Sequence, residues 1–170
     1  MKLELDLNII KQKSISREKE NYKFRAFLKE CDDIKIDKIV HAIYDKVIGE
    51  IDCTQCGNCC KHLNPSLTMK EIRVLSKIEN TTTKAFMDNH TELDSFENTR
   101  VLKQKPCKYL NDKICTIYEF RPNDCKSFPH IHKSSFSSRI LSMIEYYGIC
   151  PIVFNVMEQL KAEFRFRSLI

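Results

Sequence analysis

Glycine is scarce in this chain, and its scarcity excludes several common binding sites. Only three of the 170 residues are glycine, far below the usual fraction of about 7%. Gly-rich phosphate loops and the G-x-G-x-x-G fingerprint both need glycines close together, so three scattered glycines cannot build either motif. The abundance of Lys, Glu, Ile and Leu favours helices over a turn-rich β fold.

Long apolar runs are also missing. The first ten residues alternate charged and apolar side chains, without the basic segment and apolar run of about 7–15 residues that mark a signal peptide. No stretch approaches the roughly 18 apolar residues of a membrane helix. We therefore expect a cytoplasmic protein, and because cytoplasmic thiols stay reduced, a disulfide framework is the less favoured use of its cysteines.

Cysteine is the residue that this chain has in excess. Eight of the nine cysteines form one pattern, in which four lie within eight residues and four more follow: Cys53, Cys56, Cys59, Cys60, Cys107, Cys115, Cys125 and Cys150. All three glycines and four of the five prolines lie within four residues of one of these cysteines. Gly and Pro determine backbone turns, so their position indicates that the chain is shaped around these cysteines. The pattern predicts a metal or iron–sulfur centre built from the eight thiols.

The spacing also suggests how the ligands divide. Cys-x2-Cys-x2-Cys lets three sulfurs converge on one side of a loop, as in bacterial ferredoxins, where a Cys-Pro supplies a further ligand. Successive side chains generally point apart, so we expect Cys59 and Cys60 to serve different centres; a bridged two-metal cluster is the alternative. This predicts two sets: Cys53, Cys56, Cys59 and Cys150; and Cys60, Cys107, Cys115 and Cys125.

The remaining polar candidates are weaker. Cys31 completes an apolar helix stripe and is predicted to be a core residue. His62, His130 and His132 are open as additional ligands or as donors to ligands, whereas His90 is expected to be solvated.

The net charge of +5 lies mainly in the cysteine segment, since residues 53–150 carry 14 basic and 10 acidic side chains. Eight thiolates holding two centres of charge +2 would lower the net charge to about +1. The basic residues are then interpreted as counter-charge for the thiolates, and we expect no nucleic-acid binding; a solvated basic surface is the alternative. Arg121, beside a ligand position, is open either as such a counter-charge or as an exposed surface charge.

Apolar periodicity predicts a mostly α fold (small α+β). We expect residues 1–15 to be a tail or edge strand, and a helix to run from an N-cap at Ser16 to about 31. Further helices are predicted over about 36–48 (ended by Gly49), from the capping box at Thr68 to about 79, from a cap at Thr83, over about 135–147, and from Pro151 onward.

A β-hairpin carrying Cys107 and Cys115 is predicted within 99–118, and an irregular stretch around Pro122 and Pro129. Together these predict one compact domain over 1–170. Its cysteine-cluster core covers about 50–155, and N-terminal helices at about 16–49 pack on that core.

These motifs carry a family resemblance. The motifs follow one another in the order Cys53-x2-Cys56-x2-Cys59-Cys60, Pro106-Cys107, Cys115 through Arg121-Pro122-x2-Cys125-x2-Phe128-Pro129, and Cys150-Pro151. This order resembles that of the CxxCxxCC cysteine-cluster family, also called YkgJ-type. The resemblance covers roughly residues 50–155 and implies a zinc- or iron-chelating domain. A similar cluster occurs in flagellin lysine-N-methylases, which implies that some relatives take part in modification chemistry.

We therefore expect a cytoplasmic protein that binds zinc or iron, or an iron–sulfur cluster, in one or two centres and has a metal, redox or sensing role. Two alternatives stay open: an enzyme related to protein-modifying (methyl-transfer or redox) chemistry, and an interaction protein with purely structural zinc. Metal ions are the expected partners; a protein partner belongs to the last alternative, and no membrane binding is expected.

Overall fold

The computed structural model describes residues 2–94 and 98–166. Helices dominate this part of the chain and the strands are short, which confirms the predicted mostly α fold class. The helices are α1 (Leu7–Ser16), α2 (Glu18–Lys29), α3 (Asp33–Glu50), α4 (Cys59–His62), α5 (Met69–Ile78), α6 (Thr83–His90), α7 (Asn123–Ser127), α8 (Ile140–Tyr147) and α9 (Pro151–Glu163). The strands are β1 (Ser66–Leu67), β2 (Thr91–Leu93), β3 (Arg100–Leu102), β4 (Leu110–Asn111) and β5 (Ile114–Cys115).

The chain divides into two compact units. Unit 1 contains Met1–Asp52 and Pro129–Ile170, and unit 2 contains Cys53–Phe128. That the whole chain is one domain stays a prediction. Within the described ranges, no helix is long and apolar enough to cross a membrane.

Unit 1 is a helical assembly around α9. This helix packs against α3 and α8, and all of its first seven residues are buried. Pro151 occupies the first turn of α9, as predicted, because its fixed φ suits that position and its missing N–H has no helical partner there. The predicted apolar stripes also meet the core, since Phe24 and Leu28 of α2 and Val40 of α3 are fully buried.

A buried polar network joins α2, α8 and α9 inside this unit. The Lys161 ammonium donates to Glu20 at 2.7 Å and to Glu158 at 2.9 Å, and its side chain is only 6% exposed. Tyr147 donates its hydroxyl proton to Glu158 at 2.8 Å, and Arg17 pairs with the other Glu158 oxygen. A buried ammonium is tolerated because two carboxylates compensate its lost hydration.

The N-terminal prediction is wrong. Residues 7–16 form α1 instead of an edge strand, because the Asp6 carboxylate caps the first turn by accepting from the N–H of Asn8 at 2.8 Å. Ile10, on the inner face, is fully buried. Ser16 is the last residue of α1 and not the N-cap of α2, since its hydroxyl donates back to the Lys13 carbonyl.

Three other boundaries differ from the prediction. Helix α3 runs past Gly49 to Glu50, and a Cβ at Gly49 would meet nothing within 4 Å, so no close contact requires a turn there. Helix α6 is capped by Thr82, whose hydroxyl accepts from the Ala85 N–H at 3.1 Å, and not by Thr83. Residues 136–139 form a 3₁₀ helix ahead of the shorter α8.

Unit 2 is built from a three-stranded antiparallel sheet, a hairpin and short helices. The strand order is β1-β3-β2, with Ser66 opposite Val101 and Thr91 opposite Leu102. Helix α5 begins at the predicted capping box, in which Thr68 and Glu71 satisfy each other's backbone N–H. The core of the unit combines both layers: Leu67, Ile72, Leu75, Phe86, Leu102, Tyr109 and Ile117.

The hairpin is smaller than predicted. Strands β4 and β5 pair with Leu110 opposite Cys115, so the hairpin carries Cys115 while Cys107 lies just before it. The turn contains Asp112 at a φ of 55°, a conformation that Asp tolerates. The stretch between Pro122 and Pro129 is not wholly irregular, because it contains α7.

Candidate metal centre

The four-cysteine loop is a compact turn that lies against the β4–β5 hairpin. Its first residues form a 3₁₀ helix, and the N–H groups of Cys56 and Gly57 both donate to the Cys53 carbonyl, at 3.2 and 3.3 Å. Gly57 has a φ of +59°, and a Cβ on it would lie 2.6 Å from the Lys113 carbonyl oxygen. Only glycine combines that backbone conformation with so close an approach, so Gly57 keeps the loop next to the hairpin.

Cys107 is fastened to this loop through the backbone. Its N–H donates to the Cys60 carbonyl at 2.8 Å, and its own carbonyl accepts from the Leu110 N–H at 2.9 Å. Cys115 then returns opposite Leu110 in the hairpin. Cys107 and Cys115 are both partly buried against the core of unit 2. Two thiols from different positions along the chain therefore pack against the same core.

Cys125 reaches the same region on α7, which two carboxylates hold in place. The Asn123 N–H donates to Glu71 at 2.6 Å, and the Ser66 N–H donates to Asp124 at 2.9 Å. Burial by itself would raise the pKa of Glu71, but the hydrogen bonds from Asn123 and Thr68 outweigh burial and hold that pKa below its ordinary value. Glu71 is therefore ionised at neutral pH and ties the start of α5 to the start of α7.

Four thiols in unit 2 lie close enough to perturb one another electrostatically. Burial is the largest cause that raises the pKa of Cys125 to about 12, and the negative charges of Cys60, Cys107, Asp124 and Cys115 contribute to the same shift. Burial also raises the pKa of Cys107 and of Cys115, and the charge on Cys60 adds to both shifts. These four thiols are one of the two predicted ligand sets.

The adjacent pair behaves differently from the prediction. A hydrogen bond from the Cys59 side chain lowers the pKa of Cys60 to about 7, although burial acts in the opposite direction. The two side chains therefore interact directly, and the prediction that they point apart is wrong. Both residues lie in the first turn of the short helix α4, which begins at Cys59.

Two cations act on the thiols: Lys108 lowers the pKa of Cys107, and Arg121 lowers that of Cys115, in both cases against the larger effect of burial. Arg121 donates to the Tyr118 carbonyl at 2.6 Å, and its guanidinium lies 3.6 Å from the centre of the Tyr118 ring. From that position its positive charge lowers the pKa of Cys115, against the larger effect of burial. Arg121 therefore favours the ionised form of the Cys115 thiol; its role as a counter-charge to bound thiolates stays a prediction.

The other predicted ligands lie in the four-cysteine loop of unit 2 or in unit 1. Cys53 is exposed and Cys56 partly buried in the loop of unit 2. Cys150 is buried in unit 1, immediately before α9, and Cys31 is partly buried in the same unit. His62 is exposed on α4, and His130 and His132 lie in unit 1. The assignment of these side chains as ligands stays a prediction.

The donor chemistry of the thiols fits zinc or iron. Thiolate sulfur is the ligand of structural zinc sites and of iron–sulfur clusters, and four thiols from separate segments meet in unit 2. Across residues 2–94 and 98–166, no group of three or more His, Cys, Asp or Glu side chains is arranged to hold a metal ion. The described thiols of unit 2 are therefore neighbours, but they do not form a complete coordination shell.

Sequence reasoning missed the residues that hold the cysteine segments in place. The capping box identifies Glu71, but nothing in the sequence connects it to Asn123, 52 positions away. The ion pair between Glu79 and Lys108 was missed for the same reason. His90, predicted to be solvated, is partly buried beside Lys108, so that prediction is wrong.

Residues 52–146 match the sequence model of the family CxxCxxCC, whose description reads "Putative zinc- or iron-chelating domain". The match covers more than half of the chain and includes every predicted ligand except Cys150. Comparisons with curated proteins and with solved structures gave no match. The family description supports binding of zinc or iron, in agreement with the donor set in unit 2. This chain belongs to the CxxCxxCC family.

Proposed function

We propose that this protein binds zinc or iron through cysteine thiolates and has a metal, redox or sensing role in the cytoplasm. One observation supports the proposal above all: thiols from the cysteine loop, the hairpin region and α7 are electrostatic neighbours in unit 2. Backbone hydrogen bonds and two carboxylates hold those segments together. A reducing compartment is part of the proposal because metal ligation needs reduced thiols.

The primary centre in this proposal uses Cys60, Cys107, Cys115 and Cys125. A second set, Cys53, Cys56, Cys59 and Cys150, would hold a second centre. The hydrogen bond between Cys59 and Cys60 favours neighbouring centres that meet at this pair, including the bridged arrangement. Cys150 lies beyond the family match, so its membership needs its own test.

The number of protons released when a metal ion binds depends on how many of the thiols are protonated beforehand. A metal ion takes thiolates, so each protonated thiol must release its proton on binding. Cys60, with its pKa near 7, is about half ionised at neutral pH, whereas Cys125 must lose a firmly held proton. Bound zinc would stabilise the fold, and a bound iron–sulfur cluster would carry electrons.

The proposal is tested by anaerobic purification followed by elemental analysis. Eight thiolates in two centres predict about two zinc or about eight iron per chain, or a mixture. Visible absorption by the purified protein would identify iron. A colourless zinc protein without redox activity would favour the structural-zinc alternative, and an open coordination position the enzyme alternative. A fully folded protein that contains no metal, and takes up none, would refute the proposal.

Single substitutions then test the ligand sets. Cys60→Ser, Cys107→Ser and Cys125→Ser should lose the same metal fraction, whereas Cys53→Ser and Cys150→Ser should lose the other. Cys31→Ser is the matched control: its thiol donates to the Phe27 carbonyl at 3.4 Å in unit 1, and its loss should leave the metal content unchanged. Depletion of one centre by Cys60→Ser and of the other by Cys125→Ser would contradict the division.

A further inference from the structure

The side chain of Lys108 leaves the cysteine region and reaches the ends of α5 and α6. Its Nζ lies 2.8 Å from Oε1 of Glu79, the residue that ends α5. Both ring nitrogens of His90, the last residue of α6, lie within 3.5 Å of the same ammonium. The Lys108 side chain is 17% exposed and that of Glu79 is 26% exposed. Because water is mostly excluded, the ion pair is stronger than one at the surface.

Aromatic rings enclose the ammonium on its other sides. Nζ lies 5.4 Å from the centre of the Tyr109 ring and 6.0 Å from that of Phe86. The Phe86 and His90 rings are 5.2 Å apart. Ring faces attract cations, and Phe86 and Tyr109 are themselves part of the unit 2 core. We call this surrounding of Lys108 (Glu79, Phe86, His90 and Tyr109) the Lys108 cage.

The charges inside the cage are consistent with a permanently held ammonium. The hydrogen bond from Lys108 holds the pKa of Glu79 below its ordinary value, so the carboxylate is ionised at neutral pH. Burial lowers the pKa of His90, and the Lys108 charge lowers it further. The imidazole is therefore neutral at neutral pH and does not repel the ammonium.

The cage is one residue away from a thiol. Cys107, Lys108 and Tyr109 lie in a turn that closes through the Leu110 N–H and the Cys107 carbonyl, at 2.9 Å. The Cys107 N–H is bound to Cys60, and the Tyr109 carbonyl accepts from the Thr116 N–H at 2.8 Å. Backbone hydrogen bonds hold this turn at both ends. Between them, the Lys108 side chain is anchored to Glu79 while the neighbouring Cys107 thiol lies within the electrostatic influence of Cys60 and Cys115.

We propose that the Glu79–Lys108 ion pair is a positioning device for Cys107: by holding Lys108 in its cage, it keeps the Cys107 thiol directed toward Cys60 and Cys115. This inference rests on the proposed function of unit 2 as a thiolate centre. It differs from a merely structural role, in which loss of the pair would weaken the whole unit without a particular effect on one thiol.

The test uses Glu79→Gln and Lys108→Met, which remove one charge each and keep the side-chain bulk. Glu92→Gln and Lys84→Met are matched controls, because these exposed side chains in unit 2 lie outside the cage. Two measurements are made on each full-length variant: the alkylation rate of each cysteine in the metal-free protein, by mass spectrometry, and Zn²⁺ affinity by competition with a chelator. Co²⁺ absorption reports the thiolate ligands directly.

We expect Cys107 to be alkylated faster in Glu79→Gln, while Cys125 keeps its wild-type rate. Lys108→Met also removes a positive charge that lowers the pKa of Cys107, so this variant is judged by its Zn²⁺ affinity and Co²⁺ spectrum. Zn²⁺ affinity should fall about tenfold, the low end of what residues supporting a metal site contribute, with an altered Co²⁺ spectrum. Equal acceleration of Cys107 and Cys125, or wild-type rates and affinity, would overturn the inference. A wild-type protein that takes up no metal would refute the proposed function, and the alkylation pattern would still decide the role of the ion pair. Should Glu79→Gln not fold, the Zn²⁺ affinity and Co²⁺ spectrum of Lys108→Met decide the inference: values equal to those of the wild type would overturn it.

Discussion

Glu71→Gln is the sharpest test of how unit 2 is assembled. One Glu71 oxygen accepts from the N–H and the hydroxyl of Thr68, at 2.7 and 2.6 Å, and the other accepts from the Asn123 N–H at 2.6 Å. The substitution preserves size but removes the charge and replaces one acceptor with a donor. A hydrogen bond to a charged group contributes about 1.5–3 kcal/mol. Because Glu71 is only partly buried, we expect a loss of about 1–2 kcal/mol.

The loss should depend on pH in a defined direction. The folded state holds the pKa of Glu71 below its ordinary value, so its contribution is fully present above about pH 5. As pH falls through the folded pKa, the carboxylate is protonated in both states and the contribution disappears. The difference in unfolding free energy between wild type and Glu71→Gln should therefore shrink in acid.

Urea unfolding at neutral and acid pH, at matched metal content, measures this difference. Glu119→Gln, an exposed carboxylate in the same unit, is the control and should change stability by less than about 0.5 kcal/mol. Hydrogen exchange should also show earlier opening of residues 123–127 in Glu71→Gln. Equal stabilities of wild type and Glu71→Gln, or a difference that persists unchanged in acid, would refute this account of how α7 is held.

Three further predictions follow from single positions. Gly57→Ala should destabilise unit 2 by at least about 2 kcal/mol, because its φ is left-handed and its Cβ would meet the Lys113 carbonyl at 2.6 Å; urea unfolding measures this loss, and metal content should fall with it. Lys161→Met should cost about 1–3 kcal/mol in thermal or urea unfolding, since two partly buried carboxylates lose a shared ammonium while Glu158 keeps its pairing with Arg17. In metal-free protein, iodoacetamide should modify Cys60 first, with a rate that rises through pH 7, because its pKa is about 7 whereas that of Cys125 is about 12.

Each of these three predictions has a control variant or a result that would contradict it. Gly49→Ala, in a helix with open space at its Cβ, should be neutral or stabilising; equal losses at the two glycines would contradict the close-approach argument. Lys19→Met is the exposed control for Lys161. Modification of Cys125 before Cys60 would show that the Cys59 hydrogen bond does not control thiol acidity in this unit.

Local patterns predicted the elements whose causes lie within a few residues. The capping box at Thr68, the buried stripes of α2 and α3 and the start of α9 at Pro151 are confirmed, since each depends on side-chain periodicity or on one cap. The wrong predictions also have local causes. The alternation of the first residues predicted a strand, but the Asp6 cap and the burial of Ile10 stabilise α1 instead.

The cysteine spacing by itself determined the family and the class of chemistry, because thiols at such spacing are rare outside metal centres. It also predicted the grouping of Cys60, Cys107, Cys115 and Cys125, but not the contacts that bring these residues near one another. Cys60, Cys107 and Cys125 are brought together by a backbone bond across 47 residues and by carboxylates that hold α7. The hydrogen bond from Cys59 to Cys60 is likewise absent from the spacing, which predicted side chains that point apart. The spacing along the chain shows which ligands are available. The distances between them depend on non-local hydrogen bonds and core packing, and these interactions are present only in the tertiary structure.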